Sequence, residues 1–465
     1  MFSAAAPARS RGSRRPRPAA SLRLLLSAAC AGAASAITVT RVGGFPCRGG
    51  LTAGPGFLSL DGGALIVARF TGDPLESDDV VAVPNFVSLL TGGNVSTAVC
   101  ARVAALTWPN DVEAVDAASL GLRGGGGSAL LAPGGFLVPP KTVGAVTLLN
   151  ASGGAPATAA YTLTAPKILP GDGWFFHRAT PFDVDGDGRL DVLAARAVKP
   201  LLGAPAGELI WLRQPAGDAL APAALPWAEA TLASGAWAPD VLFAPPVSLR
   251  ADGDSQLLFA SFFTGGGLGM LTCAGCGGAA PAARWATAPL ATVVLDASVG
   301  PAFDVAVLDL NGDGALDVLL TNHADNATAV NGTVFQSVVA AYEAPAPPAP
   351  LANASAWTRH VLAEGFLVRE PGANQAAPGA ARAFAPPAGA PPAKPWISVS
   401  GDGDQRAYVL TPDAPAAGNW AYSRTLVHDC GGTVGRQVSV AAAGRTFLVI
   451  PCYDAATIEV YELGA

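Results

Sequence analysis

Charged side chains are scarce in this 465-residue sequence, and long apolar runs are missing from most of it. Only 14% of the residues are charged, with 28 lysines and arginines against 35 acids. The sequence therefore lacks the excess of basic residues that binds nucleic acid or anionic membranes. Beyond residue 36, no apolar stretch is long enough to span a membrane. We therefore expect neither nucleic-acid binding nor membrane insertion.

Histidine is also rare, and catalytic motifs are missing. None of the four histidines, at positions 177, 323, 360 and 428, belongs to a motif such as HExxH or GxSxG. We expect each of them to be packed in the fold or bound at the surface. No catalytic residue is assigned, and an enzyme is the less favoured reading.

Glycine and proline are abundant, at 55 and 40 residues, and half of the chain is apolar. Short apolar runs separated by turn residues predict many short strands, whereas no helical period is sustained. The apolar content is sufficient for a large core. An all-β fold is therefore expected.

The first 36 residues differ from the rest. Six arginines and no acid precede the apolar run Leu24–Cys30, and Ala34–Ala36 fits a small-residue cleavage site. This pattern predicts a secretory signal peptide over residues 1–36 and an extracellular mature chain, residues 37–465. The alternative is an organelle transit peptide, which is also rich in arginine, serine and alanine, and an organelle lumen as the location. Removing the six arginines would make the formal net charge of −7 six units more negative.

Six cysteines remain after the leader, an even number that suggests three disulfides in a secreted chain. Their spacing suggests the pairs Cys47–Cys100, Cys273–Cys276 and Cys430–Cys452, although the sequence alone allows other pairings. A redox or zinc role for the CxxC pair is disfavoured, because no second CxxC or histidine pair completes a site. Five glycosylation sequons agree with a secretory route. They lie at Asn94, Asn150, Asn326, Asn331 and Asn353.

An internal repeat carries most of the information on fold. Phe182–Arg196 and Val307–Thr321 both run from an apolar strand through a tight acidic loop to a second apolar strand. Five weaker copies start near residues 58, 128, 248, 398 and 438, so seven anchors recur about every 60 residues. This spacing predicts a seven-bladed β-propeller with four-stranded blades, in which radial repetition avoids exposed sheet edges. We expect Ile37–Val42 and Thr457–Leu463 to pair and close the ring.

The two acidic loops, 183–191 and 309–317, resemble FG-GAP/VCBS repeats, the blades of integrin-α-like propellers. The pattern D-x-[DN]-G-D-G-x-x-D between apolar strands carries the resemblance. It implies a propeller whose loops bind calcium and which acts in adhesion or ligand binding. Three of the other loops have lost ligands and two lack them, which argues against metal-dependent adhesion through several loops.

The oxygen donors of these loops suit Ca²⁺, a hard cation that takes six to eight oxygen ligands. Two calcium sites are expected, and none at the loops around Asp252 and Asp402, which keep too few acids. EF-hand and dockerin loops are rejected, because position twelve is Ala194 or Leu320 and the flanks are β-rich. The predicted ligands, with Arg189 and Ala315 acting through main-chain carbonyls, are Asp183, Asp185, Asp187, Arg189 and Asp191, then Asp309, Asn311, Asp313, Ala315 and Asp317.

A ligand site is expected at the opposite end of the ring. At about 3.3 Å per residue, positions five or six residues from an acidic loop lie roughly 15–20 Å from the predicted calcium. Polar side chains gathered at such a mouth would orient a ligand. The candidates are Arg69, Trp174, His177, Arg178, Arg196, Asn322 and His323.

We thus expect a monomeric, secreted, calcium-binding propeller that acts as a binding, adhesion or scaffold module for a glycan or protein. The alternative is a propeller-fold hydrolase or lyase acting on extracellular polysaccharide or ester. Titratable groups paired within about 2.6–3.2 Å on the ligand face would favour the enzyme. Rings of arginine, asparagine and tryptophan alone would favour the binder.

Overall fold

Strands dominate the computed structural model, which describes residues 37–122, 127–169, 172–200, 202–278, 281–325, 334–370, 376–390 and 394–465. The predicted leader and the sequons at Asn326 and Asn331 lie outside these residues. Of the other sequons, Asn94 and Asn353 are exposed and Asn150 is half-buried. Within the described ranges, the α-helical structure is limited to α1, Phe86–Thr91, and no helix is long and apolar enough to cross a bilayer.

The part of the chain that the structure describes contains 29 strands. In chain order they are β1 (Thr38–Pro46), β2 (Gly54–Asp61), β3 (Ala64–Phe70), β4 (Asp79–Val83), β5 (Ala101–Ala105), β6 (Glu113–Asp116), β7 (Ser128–Pro133), β8 (Val146–Asn150), β9 (Ala159–Thr162), β10 (Ile168–Leu169), β11 (Asp172–Gly173), β12 (Phe175–Phe182), β13 (Asp191–Val198), β14 (Ala206–Arg213), β15 (Ala228–Gly235), β16 (Ser255–Ser261), β17 (Gly267–Cys273), β18 (Leu290–Asp296), β19 (Ala302–Leu308), β20 (Asp317–Asn322), β21 (Val338–Glu343), β22 (Thr358–Glu364), β23 (Ala381–Phe384), β24 (Trp396–Ser400), β25 (Arg406–Pro412), β26 (Tyr422–Asp429), β27 (Val438–Ala442), β28 (Arg445–Cys452) and β29 (Thr457–Gly464).

These strands form seven antiparallel blades, which confirms the predicted seven-bladed propeller. Blades 1 to 6 follow one another along the chain as β2–β5, β6–β9, β12–β15, β16–β18, β19–β22 and β23–β26. Blade 7 has the order β27–β28–β29–β1, so its outermost strand comes from the other end of the chain. The short strands β10 and β11 form a separate hairpin.

Blade 4 differs from the others because its innermost strand is irregular. Residues 243–247 occupy that place and meet β16 only through the bridges Phe243↔Phe259 and Val247↔Gln256. Pro245 and Pro246 lie between the two bridges. Because proline has no N–H to donate, a regular ladder cannot run through them.

The core is divided among the interfaces between blades. Among the described residues, seven buried apolar clusters each join two consecutive blades, and one of them joins blade 7 to blade 1. Alternate residues of a second strand face opposite neighbours. In β13, Val192 and Ala194 pack against blade 2, whereas Leu193 and Ala195 pack against blade 4. Second strands therefore read as continuous apolar runs, because both of their faces are buried.

The ring closes as predicted from the sequence. Strand β1 pairs antiparallel with β29 from Thr38↔Gly464 to Pro46↔Thr457. The structure also contains the three suggested disulfides. Cys47 follows β1, and Cys100 directly precedes β5, the outer strand of blade 1. This bond therefore ties the closing strand of blade 7 to blade 1.

One predicted repeat anchor is misplaced by a strand. Ser398–Thr411 covers the second and third strands of blade 6 and the turn between them, not the first and second strands. The connection from Phe384 to Trp396 is long and proline-rich, so the true first hairpin of this blade has no compact acidic loop. Asp402 therefore lies at the end of the ring away from the two acidic loops.

Removing the Cys47–Cys100 bond should destabilise the protein more than removing Cys273–Cys276. The bonded residues are 53 positions apart in the first pair and 3 in the second. Loop-closure entropy then gives losses of about 4 and about 2 kcal/mol. The double variants C47S/C100S and C273S/C276S can be compared by urea unfolding at one temperature. A larger loss from the second pair would contradict the stapling role.

Candidate functional site

The two ends of the ring differ in which loops they carry. The turns between the first and second strands of every blade lie at one end, which we name the hairpin face. The beginnings of the first strands and the ends of the second strands lie at the other end, which we name the mouth face. The two acidic loops connect β12 to β13 and β19 to β20, so both belong to the hairpin face.

The two acidic loops share one hydrogen-bond pattern. In the first, Asp183 accepts the backbone N–H groups of Gly186 and Gly188 at 2.7 and 3.0 Å. In the second, Asp309 accepts the equivalent bonds at 2.7 and 2.9 Å. The final acids behave alike, since Asp191 accepts from Val184 N at 3.2 Å and Asp317 from Leu310 N at 3.0 Å. Two loops of different sequence thus hold their carboxylates in the same way.

Glycine is required at two positions of each loop. Gly186 and Gly188 have φ values of 73° and 84°, and Gly312 and Gly314 have values of 76° and 87°. Side chains other than glycine rarely adopt these angles. The turn brings carboxylate oxygens of Asp183, Asp185 and Asp187 within 4.8 Å of one another.

Neighbouring cations distinguish the first loop from the second. Arg213 Nη2 lies 2.8 Å from Asp185 Oδ2, and Arg189 pairs with Asp187. Among the described residues, no lysine or arginine forms an ion pair with Asp309, Asp313 or Asp317. The second loop is therefore the less compensated of the two.

Burial, together with the negative charges of the nearby Asp313 and Asp309, raises the pKa of Asp317 to about 7. Repulsion of this kind is what a cation between the carboxylates would relieve. The donors are all oxygens of acids and an amide, which fits Ca²⁺ better than softer metals. The residues present in the two loops thus fit the predicted ion.

Four of the seven predicted ligand-face residues are engaged inside the fold. Arg69 donates two bonds to Asp79, at 2.8 and 2.7 Å, and Arg196 binds Glu208 and Glu229. Trp174 is buried beneath Lys167 and Arg196, with the lysine nitrogen 4.2 Å from its ring centre. Asn322 donates to the carbonyls of Val299 and Gln336. None of these four side chains lines the cavity described below.

His177 and His323 do meet at one cavity on the mouth face. It consists of two adjoining hollows of about 650 and 470 Å³, which share the side chains of Phe136, His177, Phe303 and His323. We name this space the mouth cavity. It lies around the axis of the ring, at the end where the first strands begin.

One residue at the end of the second strand of each blade lines the mouth cavity. Each is the last residue of that strand or follows it within three positions. We name this set the rim. Its members, from blade 1 to blade 7, are Phe70, Phe136, Lys199, Phe262, His323, Asp402 and Tyr453.

The aromatic members form contacts around the cavity. Trp108 is stacked between Phe70 and Phe136, with ring centres 4.7 and 4.9 Å apart and interplanar angles of 25° and 16°. On the other side, Phe303 stacks on His323 at 4.9 Å. The wall therefore presents flat, polarisable faces together with a few polar groups, as small-ligand sites commonly do.

β-Bulges aim two of these side chains. The register of β12 against β13 shifts between Phe176 and Arg178, which leaves His177 as the extra residue. The register of β19 against β20 shifts between Ala302 and Asp304, which leaves Phe303 as the extra residue. A bulge re-aims a side chain, and here the extra residue faces the cavity.

His323 and Asp402 form a close pair of titratable groups, the kind of arrangement that would favour an enzyme. Nε2 of His323 lies 3.1 Å from Oδ2 of Asp402. Its Nδ1, however, is buried and has no hydrogen-bond partner. Neither ring nitrogen is therefore both exposed and free to take a proton from a ligand in the cavity. The pair fixes the orientation of an imidazole in the wall.

The other three histidines offer no base at the cavity. Burial lowers the pKa of His177 to about 3, although Asp111 acts to raise it, so its imidazole is neutral at physiological pH. His360 stacks on Trp420 at 4.2 Å and lies 3.0 Å from Glu343. His428 contacts the Tyr461 hydroxyl at 2.7 Å. Neither His360 nor His428 lines the mouth cavity.

Neither a family model nor a curated protein matches the chain. Solved structures that it resembles include the N-terminal domain of Nup159, at TM-score 0.44 and 9% identity, covering 92% of this chain and 96% of that one. BBS1N in its complex with ARL6DN gives 0.43 and 9%, covering 89% and 94%. An ancestral GH74 enzyme gives 0.49 and 9%, covering 88% and 48%. These values carry no argument about function, which must come from the site itself.

The rim of blade 4 should depend on one buried carboxylate. Asp240 accepts the N–H groups of Phe262, Phe263 and Thr264 at 2.7 to 2.8 Å. Burial raises its pKa to about 6, so it is ionised at neutral pH. In Asp240→Asn one acceptor oxygen becomes a donor that faces these N–H groups. We expect amide exchange at residues 262–264 to accelerate at least tenfold, about 1.4 kcal/mol.

The control for Asp240→Asn is Asp116→Asn on the hairpin face. Asp116 is exposed and accepts one backbone N–H, from Ser119 at 2.8 Å. Its substitution should leave exchange at residues 262–264 unchanged. Equal exchange in Asp240→Asn and the unsubstituted chain would show that Asp240 does not hold the rim.

Proposed function

We propose that this chain is a secreted propeller that binds a glycan in its mouth cavity and is braced by two calcium ions on the hairpin face. The observation that carries the proposal is the rim, to which each of the seven blades contributes one side chain. Three disulfides support an extracellular setting, where such bonds persist. The two acidic loops resemble FG-GAP/VCBS repeats, and this resemblance supports the calcium-binding part of the proposal.

A glycan suits the cavity better than an apolar ligand does. The stacked rings of Phe70, Trp108 and Phe136 offer a platform whose faces attract the C–H groups of a sugar ring. Around them, Lys199 and Asp402 supply polar contacts that can orient hydroxyl groups. An apolar ligand would leave these groups without partners.

Calcium would act at a distance from the ligand. Asp183, Asp185, Asp187, Asp191 and the carbonyl of Arg189 would hold one ion, and the equivalent residues of the second loop would hold the other. Bound calcium would neutralise the carboxylates and stabilise the turns between β12 and β13 and between β19 and β20. These loops belong to blades 3 and 5, whose first strands also carry His177 and Phe303.

A hydrolase or lyase remains the second candidate, because His323 and Asp402 lie within hydrogen-bond reach of each other. The enzyme is the less favoured function, because the remaining nitrogen of the His323 imidazole is buried. An acid or base must reach the proton that it transfers. A binder requires only the walls and the polar groups that are present.

Removing calcium should lower the melting temperature. An ion that binds only the folded chain adds about 2.7 kcal/mol per site at 100 times its Kd. We expect EGTA to lower the melting temperature of the unsubstituted chain by several degrees and to have little effect on D187N/D313N. Asp252→Asn, in the loop expected to hold no metal, should respond to EGTA as the unsubstituted chain does. Identical melting with and without EGTA would contradict the calcium sites.

Shortening Phe136 should weaken glycan binding. This ring lines both hollows and stacks on Trp108, so Phe136→Ala removes part of the platform. Loss of one aromatic contact, about 1.4 kcal/mol, predicts about tenfold weaker binding. The measurement is capture of the full chain on an oligosaccharide array, followed by calorimetry with the strongest glycan.

The control for Phe136→Ala is Trp420→Ala, whose ring stacks on His360 away from the mouth cavity. Its affinity for the same glycan should not change. Capture of no glycan by the unsubstituted chain would contradict the proposed function. New reducing or unsaturated ends in the same incubations would favour the enzyme over the binder.

A further inference from the structure

A layer of buried charges lies next to the mouth cavity at the axis of the ring. It contains Asp111, Arg178, Asp304, Arg382 and Arg436, which come from the innermost segments of blades 2, 3, 5, 6 and 7. Four of the five side chains are buried, and that of Arg382 is 27% exposed. Arg436 itself lines the cavity. The layer is therefore accessible from the mouth at one point.

The charges in this layer do not balance. Asp111 pairs with Arg436, and Asp304 pairs with Arg382. Arg178 is the third cation, and its closest carboxylate is Asp111, already paired, at 3.4 Å. Three guanidinium groups thus have two carboxylates within ion-pair distance, so one positive charge has no carboxylate of its own there, and Glu113 attracts Arg436 only from beyond that distance. Burial and the positive charges of Arg178 and Arg436 both lower the pKa of Arg382, as expected for cations that repel one another.

Hydrogen-bond donors are in excess as well. Nε of Arg178 and Nη2 of Arg382 are both buried without a hydrogen-bond partner, against one such acceptor, Oδ2 of Asp111, which lies 3.4 Å from Nη2 of Arg178. Buried polar groups normally have one, and a buried charge is costly unless it is paired. An anion in the mouth cavity would supply the missing negative charge, and its oxygens would meet the layer at Arg436, which lines the cavity. Guanidinium groups bind carboxylates through paired N–H···O bonds.

We infer that the base of the mouth cavity is an anion subsite and that the glycan is acidic, with one carboxylate held by Arg436 and the positive charge of Arg178 and Arg382. This inference rests on the proposed function for the presence of a sugar. The charge layer is observed in the structure independently of that function. The ligand would stack an uncharged ring on the aromatic wall and direct its carboxylate toward the axis. Uronic acid residues have both features.

The first test uses the unsubstituted chain and two probes of the same shape. Trigalacturonate carries carboxylates, and its full methyl ester does not. Calorimetry at low salt should give at least tenfold tighter binding for the acid, and added salt should reduce the difference. Equal affinity for acid and ester would overturn the anion subsite and leave glycan binding intact.

The second test uses Arg178→Gln, which removes the excess charge and leaves both short ion pairs in place. Affinity for trigalacturonate should fall at least tenfold, while the melting temperature should be unchanged or higher. Arg41→Gln is the matched control, because Arg41 is an exposed arginine on β1 that pairs with Glu459. It changes the net charge equally and should not alter affinity. An equal loss in both variants would overturn the inference.

Benzoate and benzamide separate failure of the subsite from failure of glycan binding, because neither carries a sugar. Saturation-transfer NMR should show benzoate, and not benzamide, binding in a manner that Arg178→Gln weakens. Benzoate binding without any glycan binding would retain the anion subsite and reject the glycan. Equal signals for the two probes would reject the subsite.

Discussion

The structure depends on burying both faces of the second strand in every blade. In β13, consecutive residues face opposite neighbouring blades. The strand's own sheet cannot cover either of these two faces. A single blade would expose an apolar face on each side, so the blades are stable only as a closed series. Closure depends on β1, which adds to β29 and brings blade 7 against blade 1. The apolar runs in the sequence are a consequence of this requirement.

Closure also explains why function can be divided between two faces. The turns between first and second strands all reach the hairpin face, where the chain can vary without disturbing the interfaces between blades. The ends of the second strands all reach the mouth face, where seven side chains converge on one axis. Bulges at His177 and Phe303 aim side chains into the space thus formed. Acidic loops and an aromatic cavity can therefore coexist in one ring.

Much of the fold could be predicted from the sequence, because the signals were local. The seven anchors, the closing strand and the cysteine pairs each follow from a short pattern or a spacing. The error at Ser398–Thr411 arose because a long insertion in blade 6 moved an Asp-Gly turn to the third strand. Blade 4 lost a regular inner strand at Pro245 and Pro246, a feature that proline chemistry could have indicated.

The site was only partly predictable, since it depends on side-chain direction. His177 and His323 both line the mouth cavity, whereas Arg69 and Arg196 turn inward to acids on neighbouring strands. The rim was missed although it has a signal, namely one large or polar residue just beyond each second strand. Arg178 of the charge layer was among the predicted ligand-face residues, but the other four had no such signal, because the five residues come from five blades and meet only when the ring closes.

The central claim is that calcium and the ligand occupy opposite faces of one ring. A crystal structure of the chain grown with calcium and trigalacturonate tests it most directly. The account predicts calcium in the two acidic loops and the sugar in the mouth cavity, with a carboxylate against Arg436. Sugar bound at the acidic loops through calcium, with an empty mouth cavity, would contradict it.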